Sequence, residues 1–187
     1  MKKTLVVIFA AVVLWGISLS GCVTPPGPHP IQISYLYVEP ASVDVLAGYA
    51  FTMAVYCDPG TSLKGWEMTV TYDPAILHVE WIKPGNFSQG FGSFFSSQYV
   101  IDNKNGTVTK LYEVLIGADP VCNVTADLVR IRFHAVGAGF TSISIRGGRV
   151  CNATAYVPSA VLHDAFVTVG PPPTFHGLLD TVQELNP

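Results

Sequence analysis

The sequence predicts an all-β sandwich, and three observations carry the prediction. Between Ile31 and Val169 the chain is a series of short runs rich in β-branched and aromatic residues, the side chains that suit a pleated, half-buried surface. Pro, Gly, Asp and Asn punctuate those runs, as turn residues do. No stretch in this region sustains a 3.6-residue period, so the core falls to alternate side chains of two facing sheets.

Taken in order, the predicted strands are Ile31 to Val38, Val43 to Leu46, Tyr49 to Cys57, Lys64 to Tyr72, Thr107 to Ile116, Leu128 to Ala135, Phe140 to Ile145 and Val161 to Val169. Glu39-Pro40, Asp58-Pro59-Gly60, Asn103 to Gly106, Gly137 to Gly139 and Gly147-Gly148 read as the breaks between them. Alternation is plainest in the fourth run. Trp66, Met68, Val70 and Tyr72 fall on one face, and Glu67, Thr69 and Thr71 on the other. After the Gly170 to Pro173 break, Phe175 to Leu185 is the one helical pattern, too short to persist without docking.

The first 21 of the 187 residues hold much of the hydrophobicity behind the positive mean hydropathy of +0.40. Lys2-Lys3, an apolar run from Leu5 to Ile17, and Leu19-Ser20-Gly21-Cys22 follow the order of an export signal. The end resembles a bacterial-type lipobox, which implies that Cys22 is acylated and becomes the first mature residue. An uncleaved anchor, since the run approaches the length of a membrane span, and ordinary secretion are the alternatives. All three readings put the remainder outside the cytoplasm, and the lipobox reading anchors it to the outer face of the membrane through Cys22. Removing residues 1–21 leaves 8 basic against 13 acidic residues, a net charge of −5. Residues 22–30 carry four Pro and one Gly within VTPPGPHP and read as a semi-rigid tether. Residues 31–170 then form the domain and 171–187 a tail.

Function classes fall away on chemistry. Lys and Arg are few and scattered, so the basic stripe that phosphate backbones need is missing and nucleic acid is excluded as a partner. The five His show no metal-ligand spacing, and there is no Gly-x-Ser-x-Gly elbow or phosphate-cradling loop. No catalysis and no cofactor are expected. Asp73, Asp58 and Asp119 each precede Pro at a turn, where a carboxylate caps nearby N–H groups. Glu80, Glu113 and Asp127 would make a glycosidase pair only if the fold happened to bring two together.

Gly65-Trp-Glu-Met-Thr-Val-Thr-Tyr-Asp-Pro-Ala-Ile-Leu77 resembles the marker strand of the cohesin family, which ends in Tyr-Asp-Pro-x-x-Leu. The surrounding order is similar too: Val45 and Gly48 before the strand Phe51 to Tyr56, Lys83 to Gly85 after the marker, a hairpin-like Ile101 to Ile116, then Leu128 to Ala135, Gly139-Phe-Thr and a closing strand to Val169. The resemblance covers about residues 33 to 169. It implies a nine-stranded jelly-roll sandwich that binds a dockerin on another protein, such as a polysaccharide-degrading enzyme, through a flat sheet face. By the same resemblance, Glu67 on the outer face of the marker strand contacts the dockerin. Thr69 and Thr71 share that surface. Thr109, Leu111 and Glu113 of the Thr107 to Ile116 strand face the partner, with Val108, Lys110, Tyr112 and Val114 turned inward. The chain lacks the doubled Asp-x-Asn-x-Asp-Gly calcium loops of a dockerin, so the dockerin belongs to another protein.

Two other readings stay open. A carbohydrate-binding sandwich would use Trp66, Trp81, Tyr99 and Tyr112 for stacking, although alternation puts Trp66 and Tyr112 on the core side. A structural envelope or adhesion domain would need neither activity. With Cys22 lipidated, Cys57, Cys122 and Cys151 remain. A Cys122–Cys151 bridge is preferred because both lie in Asn-containing loops flanking two neighbouring strands, with a bridge from Cys57 to either one as the alternative. Four of the six Asn, at 86, 105, 123 and 152, begin Asn-x-Ser/Thr sequons. They are glycan acceptors or simply turn residues of a β protein.

Overall fold

The computed structural model describes residues 33–90, 93–96, 98–117, 121–153, 156–157 and 160–173. The chain divides into residues 1–31 and 32–187, and every described residue belongs to the second unit. The export signal, Cys22, the proline tether, Asp119-Pro120 and Phe175 to Leu185 lie outside the described residues.

Two sheets make a sandwich. Its strands are β1 (Ser34–Glu39), β2 (Ser42–Leu46), β3 (Ala50–Asp58), β4 (Gly65–Thr71), β5 (Leu77–Pro84), β6 (Phe94–Ser96), β7 (Val100–Asp102), β8 (Thr107–Leu115), β9 (Ala126–Ala135), β10 (Gly139–Cys151), β11 (Tyr156–Val157), β12 (Ala160–His163) and β13 (Ala165–Gly170), with one helical turn, α1 (Phe87–Gly90). The first sheet runs β12-β1-β3-β9-β5 and the second β2-β13-β10-β4-β8-β6, with β11 added to β10 and β7 to β8. The chain crosses between sheets repeatedly, as the expected jelly roll requires. The strands outnumber nine because several edge pieces are only two to four residues long.

Inward side chains of both sheets form one core, including Leu36, Met53, Val55, Leu63, Trp66, Val70, Leu128, Phe133, Ile145 and Val167. Each fully buried aliphatic side chain contributes about 1.5–3 kcal/mol. Turn chemistry fixes the corners. Asp73 Oδ1 accepts the Ala75 N–H at 2.8 Å, the local capping expected before a proline. Asn103, in the turn between β7 and β8, ties three segments. Its Oδ1 accepts the Tyr72 hydroxyl at 2.6 Å and the Val79 N–H at 2.7 Å, and its Nδ2 donates to the Val79 carbonyl at 3.0 Å.

Several expectations change, and the predicted strand Val161 to Val169 divides into β12 of the first sheet and β13 of the second. Gly147-Gly148 is not a break: β10 continues to Cys151 through a register shift between Arg146 and Arg149, with Gly147 at φ +59°. A Cβ on Gly148 would stand 2.8 Å from Leu162 and 2.9 Å from Leu36, so glycine lets the facing sheet approach there. Strand β5 was absent from the predicted set. A register shift between Val79 and Trp81 breaks its alternation, leaving Leu77, Val79 and Ile82 buried at unequal spacing.

The Cys122–Cys151 bridge does not form, and Cys57, Cys122 and Cys151 are all free thiols. The Leu63 N–H donates to the Cys122 carbonyl at 2.8 Å and the Lys64 N–H to the Cys151 carbonyl at 2.7 Å. The two cysteines thus flank one segment, but their thiols face different environments. Cys122 is fully buried in the core, whereas half-buried Cys151 borders a surface hollow with Glu67 and Tyr112. Burial pushes the Cys57 thiol up to about 12, so at neutral pH it is an inert core group.

Candidate functional site

The outer face of the second sheet gathers the side chains that the marker strand presents. Trp66, Met68 and Val70 of β4 are buried, which leaves Glu67, Thr69 and Thr71 half-exposed on the opposite side. Glu67 sits between Arg149 on β10 and Tyr112 on β8. Its Oε1 lies 3.5 Å from Arg149 Nη1, and both side chains are well exposed. Such a pair is worth at most about 1 kcal/mol, so it orients both groups and yields readily to a partner. Beside Thr69, Arg146 reaches Asp164 at 3.7 Å.

Strand β8 overturns part of the expected face. Leu111 and Glu113 are each only 3% exposed and point between the sheets, whereas Lys110 and Val114 are exposed and Tyr112 is half-buried. Against β4, Met68 pairs Leu111 but Val70 pairs Val108. Two residues, Thr109 and Lys110, therefore stand opposite Thr69 alone. Lys110 carries the extra step at φ +58°, and one inserted residue moves every later side chain to the other face. Thr109, ahead of the shift, stays half-exposed.

The bulge brings Tyr112 and Val114 to the surface in place of Leu111 and Glu113. Tyr112 packs on Phe95 of β6 with ring centroids 6.0 Å apart, and Phe95 pairs across from Val114. Glu67, Tyr112, Val114 and Cys151, with Trp66 behind them, border a hollow of ≈ 240 Å³. Sequence reasoning missed Tyr112, Val114, Arg146 and Arg149. The signal that could have found the first two was Lys110 itself, a lysine in an inward slot.

Glu113 lies behind this face. It lines a pocket of ≈ 50 Å³ with Trp66, Ile82, Tyr99, Lys110 and Leu128. Burial pushes its carboxyl up to about 7, against a smaller opposing pull from the Trp66 indole N–H. That N–H falls short of hydrogen-bond geometry, and Trp66 Nε1 and Glu113 Oε2 are both without a partner.

Among the described residues, Glu80, Glu113 and Asp127 do not gather into a catalytic pair. Glu80 pairs Arg132 at 2.8 Å and His134 at 3.4 Å on the outer face of the first sheet. Asp127 is buried with Arg130 at 2.6 Å and accepts the Asn86 N–H. Glu113 lies between the sheets, so no two of the three face one another. No cluster of His, Cys, Asp or Glu fit for a metal occurs among the described residues. Of the four aromatics considered for sugar stacking, Trp66, Tyr99 and Tyr112 border the ≈ 50 Å³ pocket beside Glu113 and Trp81 does not. Trp66 is in the core, Tyr112 is on the second sheet, Trp81 lies under the Lys83 ammonium at 4.8 Å, and the Tyr99 hydroxyl donates to the Ile82 carbonyl. The outer face of β10, β4 and β8 thus mixes aromatic and charged groups, a composition suited to contact another protein surface.

Among solved structures, the chain is similar to the third cohesin of ScaC from Acetivibrio cellulolyticus, solved in complex with the ScaB dockerin. There the TM-score is 0.60 at 14% identity, covering 73% of this chain and 98% of that one. The cohesin of a Coh-OlpC–Doc435 complex from Clostridium thermocellum gives 0.57 at 12% identity, covering 74% and 93%. A non-cellulosomal cohesin from the archaeon Archaeoglobus fulgidus gives 0.57 at 10%, covering 81% and 97%. These likenesses speak for the fold. No curated protein sequence matches the chain significantly. The family model for the cohesin domain matches residues 37–157, which take in the marker strand, the bulged β8 and most of both sheets, and the chain belongs to the cohesin family.

Proposed function

We propose that this chain is a non-catalytic module that binds a dockerin-bearing protein through the outer face of β10, β4, β8 and β6. The observation that carries the reading is Glu67, a partly exposed carboxylate on the outer face of β4, flanked by Arg149 and Tyr112. Family membership and the dockerin complexes of similar solved structures support it. The revised contact set is Glu67, Thr69, Thr71, Thr109, Tyr112 and Val114, with Arg146 and Arg149 alongside. Export and acylation at Cys22 would display the module on the outer side of the membrane, a role supported by the leader sequence alone. A polysaccharide-degrading enzyme is one cargo of this kind.

A pull-down from the source organism's secreted proteins with residues 31–170 tests the proposal. A protein with doubled calcium loops should be retained. Glu67→Lys should weaken its binding by about 30-fold or more, because it reverses a charge on that face and sets it against Arg149. Retention of no such protein, or equal binding by Glu67→Lys, would sink the idea.

A further inference from the structure

The sequons are more frequent than composition provides. Ser and Thr make up 26 of the 187 residues, so six Asn should begin about one sequon by chance, and four do. Their placement is also selective. Asn86, Asn105 and Asn123 are exposed and Asn152 half-buried, each outside the strands. Asn103, which begins no sequon, makes three hydrogen bonds with Tyr72 and Val79, and Asn105 donates its Nδ2 to Asp102 at 2.6 Å. None of the four adopts the left-handed backbone that Asn tolerates in turns, since Lys110 is the only non-glycine with positive φ among the described residues.

Three of the four share one end of the sandwich. Asn86 follows the end of β5, where Pro84 pairs Val129. Asn123 follows Cys122, which bridges to Leu63, and Asn152 follows Cys151, which pairs Gly65. The same end holds the pairs Cys57–Ala126 and Tyr35–Asp58. Here the chain enters the domain: the Ile33 backbone lies against Gly60, whose N–H donates to Ser34 Oγ at 3.1 Å. Asn105 is at the opposite end, beside the contact of Gly106 with Tyr72.

We propose that Asn86, Asn123 and Asn152 are N-glycosylated on export, forming a collar of glycans around the end at which the chain enters the domain. The acceptor atom is the side-chain Nδ2, and the donor is an oligosaccharide linked through phosphate or pyrophosphate to a membrane lipid. Nδ2 displaces the lipid phosphate at the anomeric carbon. A C–N bond forms, the C–O bond to phosphate breaks, and one amide proton leaves with no change of oxidation state. At Asn86 the fold accommodates the product. Asn86 holds Asp127 through Oδ1, which accepts the Asp127 N–H at 3.0 Å, so substitution on Nδ2 leaves that contact in place. None of the three lies within a strand of the second sheet, although Asn152 directly follows Cys151 at the rim of the hollow beside Glu67. The proposal needs export but not dockerin binding.

Glycopeptide mass spectrometry on the full chain from the envelope of its source cells tests it. Saccharide increments are expected on at least two of the three residues. Thr125→Ala, which keeps Asn123 but removes its sequon, should abolish the increment there, and Thr125→Ser should restore it. An exported chain with fewer than two of the three modified, modification confined to Asn105, or an increment at Asn123 that survives Thr125→Ala would overturn the proposal.

Discussion

Glu113 combines a buried position with an ionisable group, and its neighbours set the consequence. With Trp66, Ile82 and Leu128 around it and Oε2 unpartnered, the folded chain holds the carboxyl proton up to about pH 7. The unfolded chain releases it near the ordinary value of 4.5. Between those values the unfolded state binds fewer protons, so stability falls as pH rises through this window and is level on either side. At about 1.4 kcal/mol per pKa unit, the loss amounts to at most ~3.5 kcal/mol. Glu113→Gln keeps the shape without the charge. Urea unfolding at pH 5 and pH 8 should show the native chain losing stability relative to this variant, with most of the change between pH 5 and 7. Parallel profiles for the two proteins would refute the assignment. The Asn103 side chain gives a second expectation at this scale. Asn103→Ala strands the Tyr72 hydroxyl and both polar groups of Val79, and should cost about 2–3 kcal/mol in the same measurement.

Strand β8 shows how one backbone step decides which residues meet a partner. A lysine tolerates φ +58° at some cost, glycine adopts it freely, and a β-branched residue resists it. Lys110→Val should therefore destabilise the fold by about 1–2 kcal/mol, while Lys110→Gly is close to neutral because its greater unfolded-state entropy offsets the relieved strain. If Lys110→Val instead leaves stability unchanged, the left-handed step is not what holds the register. The same step marks the limit of what alternation can reveal. β4 was readable because Trp66 to Thr71 alternates without interruption, and Glu67 followed from it. Beyond Lys110 the parity of β8 inverts, so Tyr112 and Val114 were assigned to the core and Leu111 and Glu113 to the surface. In β5 and β10, shifts at Val79–Trp81 and Arg146–Arg149 likewise hid a strand and suggested a turn. A bulge has no period; it is fixed by pairing with a neighbour distant in sequence, which local pattern does not contain.

At the scale of the molecule, the family-matched segment and the closed sandwich differ in extent. The match ends at residue 157, but β12 and β13 follow, and each lies parallel to a strand from the start of the domain: β12 on β1 and β13 on β2. β13 also pairs β10 and contributes Ala165, Val167 and Val169 to the core. Without it, β10 loses a neighbour, β2 loses its place in the second sheet, and the apolar surface that these three residues cover is opened to water. Removal of several buried side chains at several kcal/mol in total approaches the whole stability of an ordinary domain. Residues 32–173 should accordingly unfold in one cooperative step. Trp66 between the sheets and Trp81 on the outer face of the first should report the same midpoint by fluorescence as the strands do by far-ultraviolet circular dichroism. Residues 37–157 alone should show no cooperative transition. Separate midpoints for the longer piece, or cooperative unfolding of the shorter one, would mean that the closing strands are appended to a core complete without them.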